Sequence, residues 1–236
     1  MKDQRIIYAD EEFGARAWIP AAAEVDFALS ESNHRIANNL TLLASAISIR
    51  AAEIANRDRD LDCGEVSLIL GEVSARISTV AWLHRFLSKE PDADRIDLNG
   101  HLYELCETLL SALSDPRRMK LVRTGDSRCL VETGKIVPLG LLVTEVVTNS
   151  LKYAHPTGVR GTISVGCRQA ADASLMVEVA DDGVGLPQGF DPRIDGGTGM
   201  KTIRALAKQL GGRIDFASRP IGTQFRLVLP PEPRAF

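Results

Sequence analysis

The chain has 236 residues, a length that suits two domains, with 44% hydrophobic residues for packed cores and an ordinary 25% of charged ones. Its net charge of -3 gives no electrostatic reason to expect nucleic acid, which demands a basic face. Cys63, Cys106, Cys129 and Cys167 are scattered, with no Cys-x-x-Cys pair, which argues against structural zinc and for reduced thiols in a cytosolic setting.

No apolar leader follows Met1 and no run of eighteen apolar residues occurs, so a cytoplasmic chain without a membrane span is expected. Residues 1–22 read as an arm or docking segment, too short for a sensor domain, so a stimulus would enter through a separate sensor protein or the chain is a piece of something longer. Residues 23–92 read as a helical hairpin. In its first helix Ile36, Leu40, Leu43, Ile47 and Ile54 fall within an arc of about 60° at 100° per residue. His34, Asn38, Thr41 and Ser45 lie on the opposite side, so His34 points away from the seam. By itself that position fits a solvated surface histidine as well as a reactive one. The stretch 56–64, rich in Asp and Arg, is the turn, and the second helix carries Val66, Leu70, Val73, Ile77, Val80 and Leu87 at heptad-like spacing. One hairpin has little core of its own, and pairing two copies into a four-helix bundle would bury both seams, which predicts a homodimer. His84 falls within the second seam and reads as a packed structural histidine.

Pro91-Asp92-Ala93-Asp94 reads as a linker, and a second domain spans 96–232. The pattern predicts helices over 98–113, 138–152 and 200–210, and strands over 119–123, 129–132, 163–167, 175–180, 212–216 and 224–229. The stretch 183–199, rich in Gly, Pro and Asp, has no periodicity and reads as a mobile loop. Grouped strands with several helices make this part an α+β two-layer sandwich, a sheet with helices on one face, behind the all-α hairpin.

Four short patterns in this second part carry chemistry. Glu145, Asn149 and Lys152 at i, i+4 and i+7 share one helix face. They are either a solvent-facing stripe or a Mg²⁺ site, with hard oxygen ligands from Asn149 and Glu145, directly or through water, and Lys152 beside phosphates. Asp181-Asp182-Gly183-Val184-Gly185 follows a strand; its carboxylate suits an adenine amino group, and it also suits an ordinary turn. Gly196-Gly197-Thr198-Gly199 opens a helix whose N-terminal amides suit phosphate. Gly222-Thr223 places a hydroxyl near a nucleotide or simply starts a strand.

In order and spacing, Glu145–Tyr153, Asp181-x-Gly183-x-Gly185, Gly197-x-Gly199 and Gly222-Thr223 resemble the N, G1, G2 and G3 boxes of histidine-kinase ATPase domains, the fold shared with gyrase, Hsp90 and MutL. His34-Arg35-x-x-Asn38-Asn39-Leu40 resembles the phosphoacceptor box of the His-Arg-x-x-Asn histidine kinases, relatives of the HWE kinases. Ala81-Trp82-Leu83-His84 and Ile96-Asp97-Leu98 resemble the same subclass, while the strand 175–179 lacks the Trp-x-Glu signature of the HWE label. The resemblance implies ATP with Mg²⁺ as substrate and cofactor, autophosphorylation of His34, and transfer to an aspartate of a response-regulator receiver domain. It implies that Asn149 coordinates Mg²⁺, Glu145 supports its shell, Asp181 reads adenine and Tyr153 packs on the base. Gly183, Gly185, Gly197 and Gly199 would hinge a lid over the nucleotide, with Thr223 and Lys152 beside it. An ordinary imidazole is mostly neutral at pH 7, the form that attacks; Arg35 favours that form and Glu31 the protonated one. Glu31, one turn before His34, is the candidate base or orienting group, and Asn38 the candidate for positioning the phosphoryl group or the receiver aspartate. The other reading is a histidine phosphotransfer or adaptor protein with a vestigial nucleotide domain, which would have lost Asn149, Asp181 or the lid glycines.

Overall fold

The structure is a computed structural model that describes residues 41, 44, 45, 47–49, 51, 52, 54–56, 59–87, 93–114, 117–125, 128–156, 159–218 and 221–231, all within one compact unit. His34, Glu31, Asn38, Arg35 and the arm 1–22 lie outside the described residues, as does the side chain of His84.

The described residues between 41 and 55 are helical (α1), and α2 runs Cys63–Leu87. Asp62 caps α2, its carboxylate accepting from the Glu65 amide at 2.8 Å while the Glu65 carboxylate accepts from the Asp62 amide at 3.2 Å, a reciprocal capping box. The seam expected on α2 is exposed at Val66, Leu70 and Ile77, and on α1 Ile47 is exposed and Ile54 half-buried. A second face of α2, roughly 120° around the helix at 100° per residue, is buried instead. It carries Glu72, Ala75, Arg76, Thr79 and Leu83.

That face packs on α4 (Ile136–Tyr153). Thr79 Oγ1 and Thr144 Oγ1 lie 2.9 Å apart, and Leu83 sits so close to Gly140 that a Cβ there would come within 2.6 Å of it. Beyond Leu83, Trp82 stacks on Phe86, whose ring centroid is 3.8 Å from that of His101 on α3 (Leu98–Leu113). The stretch Cys63–Leu83 is long and apolar enough to cross a membrane by length and composition, alone among the described residues. Within it Glu72 and Arg76 are ion-paired to α4, the chemistry of a helix packed on protein.

The sheet has five strands in the order β2-β4-β5-β7-β6, with β2 (Met119–Thr124) parallel to β4 (Gly161–Gln169). The remaining pairs, through β5 (Leu175–Asp181), β7 (Thr223–Leu229) and β6 (Arg213–Ser218), are antiparallel. Alternation decides which face is covered: Ile163, Val165, Val177, Val179, Phe225 and Leu227 are buried, while Ser164, Glu178 and Arg226 between them are half-exposed. The covering layer is α3, α4 and α5 (Thr198–Gln209). Helix α4 is buried almost all round because it has the sheet beneath it and α2, α3 and α5 beside it. This is the two-layer sandwich expected of the second part, with helices on one face.

One small element was not expected from the pattern. Strand β1 (Arg95–Asp97) pairs with β3 (Leu130–Glu132) in a separate two-stranded sheet. Three residues give no readable alternation; Asp97 fixes the site by capping α3 and accepting from the Cys129 amide at 3.0 Å. Helices α4 and α5 each begin two residues earlier than expected, α4 through a 3₁₀ turn at Thr133–Lys135. The four cysteines are free, and burial pushes the Cys106 thiol up to about 12.

Candidate nucleotide site

The C-terminal half of α4, the end of β5, the stretch 183–199, the start of α5 and the start of β7 enclose a cleft of about 430 Å³. Its lining includes Glu145, Asn149, Lys152, Tyr153, Asp181, Gly185, Gly197, Gly199 and Thr223, which brings together nine of the residues singled out in the sequence.

At one end sits Asp181. As the last residue of a strand flanked by β4 and β7, it emerges beside α4, where Ser150 donates its hydroxyl to Oδ2 at 2.8 Å. Oδ1 accepts from the amides of Gly183 and Thr223, both at 3.1 Å. Three fixed donors hold the carboxylate in one orientation, which is what recognition of a planar base edge requires. Gly222 makes this possible: its φ is +83°, and a Cβ there would lie 1.8 Å from the Asp181 carbonyl oxygen. Gly183 does not line the cleft but closes over Ala154 at the end of α4, and the Val184 amide donates to the Ala154 carbonyl at 2.9 Å. The neighbouring Asp182 anchors the same corner, accepting from the Thr162 amide at 2.7 Å and lying 2.9 Å from His155 Nε2. Burial pushes the Asp182 carboxyl up, but those hydrogen bonds outweigh it and hold it below the ordinary carboxylate value. Tyr153 stands at the rim, 67% exposed, with a face free for stacking.

At the other end are Glu145, Asn149 and the start of α5. A Cβ on Gly199 would lie 3.3 Å from Asn149 Oδ1 and 3.4 Å from Glu145 Oε2, so both oxygens crowd the glycine turn. Helix α5 starts at Thr198 with no side-chain cap, and the positive end of its dipole, at Gly197, Thr198 and Gly199, borders the cleft. Hard oxygen donors beside a helix N-terminus suit a divalent cation carrying phosphates. The solvent-facing stripe considered for Glu145, Asn149 and Lys152 is ruled out: Glu145 is 3% exposed, and all three line the cleft.

Glu145 and Lys152, expected beside the metal and the phosphates, each have a protein partner on α2. Arg76 of α2 grips both oxygens of Glu145, Nε on Oε1 and Nη2 on Oε2, the latter at 2.8 Å. Lys152 is paired with the Glu72 carboxylate, also from α2. Glu72 and Arg76 line the cleft but were not legible as site residues, because an i, i+4 acid–base pair on a long helix reads as surface charge. Ser150 was missed for want of any pattern of its own.

Comparison with known proteins agrees with this architecture. Residues 31–113 match the family described as histidine kinase, and residues 134–233 match the histidine kinase-, DNA gyrase B- and HSP90-like ATPase family. The chain is 28% identical over 208 residues to a sensor histidine kinase, PdtaS, of Mycobacterium tuberculosis, covering 87% of this chain and 40% of that protein. It is 26% identical over 211 residues to blue-light-activated histidine kinase 2 of Erythrobacter litoralis, covering 89% and 58%. The chain therefore spans about half the length of these relatives. Among solved structures, the histidine kinase domain of the Erythrobacter litoralis EL346 blue-light activated histidine kinase aligns with a TM-score of 0.65 at 25% identity, over 89% of this chain and 93% of that one. Two kinase-type family matches in order and the fold shared with a solved histidine kinase domain place the chain in the histidine kinases, with an ATPase part of the kind found in DNA gyrase B and HSP90.

Proposed function

We propose that the chain is the kinase core of a two-component sensor, using ATP to phosphorylate its own His34 and passing the phosphoryl group to an aspartate of a response-regulator receiver domain. The observation that carries this is the meeting of Glu145, Asn149, Asp181 and Gly199 in one cleft, a set of groups that suits an adenine nucleotide. In this reading 23–92 is the dimerisation and phosphotransfer hairpin and 96–232 the ATP-binding domain. The exposed Val66, Leu70 and Ile77 form the seam of a homodimer in the cytoplasm, and a separate sensor protein supplies the signal.

Asp181 accepts from the adenine amino group, Tyr153 covers the base, and Thr223 borders it. Gly183, Gly185, Gly197 and Gly199 let the 183–199 stretch fold over the phosphates and exclude water. Asn149, with Glu145 behind it, would hold Mg²⁺, and Lys152 the phosphates; when bound, the metal supplies positive charge to the phosphoryl oxygens. A ring nitrogen of neutral His34 attacks the γ-phosphorus, the bond to the ADP oxygen breaks, and the ring proton passes to a base, with Glu31 the candidate. Asn38, four residues after His34 in the sequence, is the candidate for positioning the phosphoryl group or the receiver aspartate. Nothing in the cleft favours a vestigial nucleotide domain.

Incubation with ATP labelled at the γ position tests the reading. Acid-labile label on the wild type and none on His34→Ala are expected. Label that survives in His34→Ala, or none on the wild type, would sink it.

A further inference from the structure

Glu72 and Arg76 lie one helical turn apart on α2 and meet Lys152 and Glu145, two turns apart on α4. The pairing is charge-matched at both points, and the groups are withdrawn from water: the side chains of Arg76 and Glu145 are 5% and 4% exposed, those of Glu72 and Lys152 8% and 15%. Both oxygens of Glu145 are engaged by one planar guanidinium, so the lone pairs that face α2 are taken and a metal or its water must compete with Arg76 for the carboxylate's charge. Lys152 likewise has its ammonium directed at a carboxylate on the helix opposite.

Opening such pairs into an empty cleft is costly, because each leaves a buried charge without its partner. Mg²⁺ and a triphosphate change that balance. The cation offers Glu145 a positive partner in place of Arg76, and the phosphates offer Lys152 a negative one in place of Glu72. The exchange conserves charge pairing at every group on α4.

We propose that Glu72 and Arg76 act as an internal stand-in for the nucleotide, the Glu72 carboxylate for its phosphate charge and the Arg76 guanidinium for its cation, so that α2 docking and Mg·ATP binding compete. The proposal rests on the kinase reading and deepens it. Linkage makes the competition reciprocal: docked α2 weakens Mg·ATP, and bound Mg·ATP loosens α2. Since α2 belongs to the hairpin, occupancy of the nucleotide site reaches the phosphotransfer helices through two ion pairs. Leu83 and the Trp82–Phe86–His101 stack tether the C-terminal end of α2, so its release begins at Glu72 and Arg76.

Calorimetric titration of wild type, Glu72→Gln and Arg76→Lys with Mg·ATP, and with adenosine as the ligand lacking phosphates, tests this. Each variant should bind Mg·ATP at least about fivefold more tightly than wild type, with adenosine affinity unmoved. Variants with Mg·ATP affinity equal to or weaker than wild type, or with a matching gain for adenosine, would overturn it. Hydrogen exchange on the wild type, which needs no substitution to fold, gives a second readout: Mg·ATP should speed exchange of α2 amides around Glu72 and Arg76, and protection there would overturn the competition. A wild type that binds adenosine but not Mg·ATP, or neither, removes the kinase reading itself. A wild type that binds Mg·ATP with unmoved α2 amides removes only the competition.

Discussion

The two ends of the cleft are built on different principles. At the end proposed for adenine, Asp181 is oriented by three neutral donors, Ser150, Gly183 and Thr223, and in that reading accepts a base without rearrangement. At the phosphate end the charged groups are occupied, Glu145 by Arg76 and Lys152 by Glu72. A preformed site gives affinity and selectivity; an occupied one makes binding an exchange that the rest of the molecule can sense. The same helix, α4, supplies both, with Ser150 facing the end of β5 and Glu145 and Lys152 facing α2.

Substitutions that strike each end should separate them. Asp181→Asn breaks the adenine end: loss of a charged acceptor and of its fixed orientation should weaken Mg·ATP by about a hundredfold, roughly 3 kcal/mol, by calorimetry. An affinity unchanged in this variant would remove Asp181 from base recognition. Leu83→Ala removes the apolar anchor that holds α2 over the phosphate end. Leu83 is 2% exposed against Gly140, so urea unfolding should show a loss of about 2–5 kcal/mol. Ser150→Ala is gentler. It takes one of three donors from Asp181 and should weaken adenosine and Mg·ATP alike by a few-fold, about 1 kcal/mol, whereas Glu72→Gln should act on Mg·ATP alone. A Ser150→Ala effect confined to Mg·ATP would blur the division between the two ends.

The smallest expected effect is in pH. The Asp182 carboxyl lies below its ordinary value when folded, so its contribution is fully present above the ordinary carboxylate pKa of about 3.9 and fades as pH falls through its lower folded value. The gap in melting temperature between wild type and Asp182→Asn should therefore be full at pH 7 and close below about pH 3.9. Side-chain exposure of 45% keeps that gap small. A gap that widens in acid would contradict the sign.

Legibility in the sequence followed the same division. Asp181, the lid glycines and Asn149 stand in short ordered motifs because backbone geometry and base contact demand particular residue types at fixed spacing. The alternating strands and the helix 136–153 were readable because each has one or more buried faces of Leu, Ile and Val. Glu72, Arg76 and Thr79 were not, since polar residues at helical spacing carry no sign of whether they meet water or another helix; the partners that bury them are 65 to 80 residues away in the chain. The short strand Arg95–Asp97 was hidden by its length, and Ser150 by being one polar residue in an apolar helix.

A crystal structure of the chain with Mg²⁺ and a non-hydrolysable ATP analogue tests the two-ended cleft most directly. The adenine amino group should lie on the Asp181 carboxylate, with Ser150, Gly183 and Thr223 unmoved, while Glu145 has parted from Arg76 and Lys152 from Glu72. A base bound away from Asp181, or phosphates and metal in place with both ion pairs intact, would contradict it.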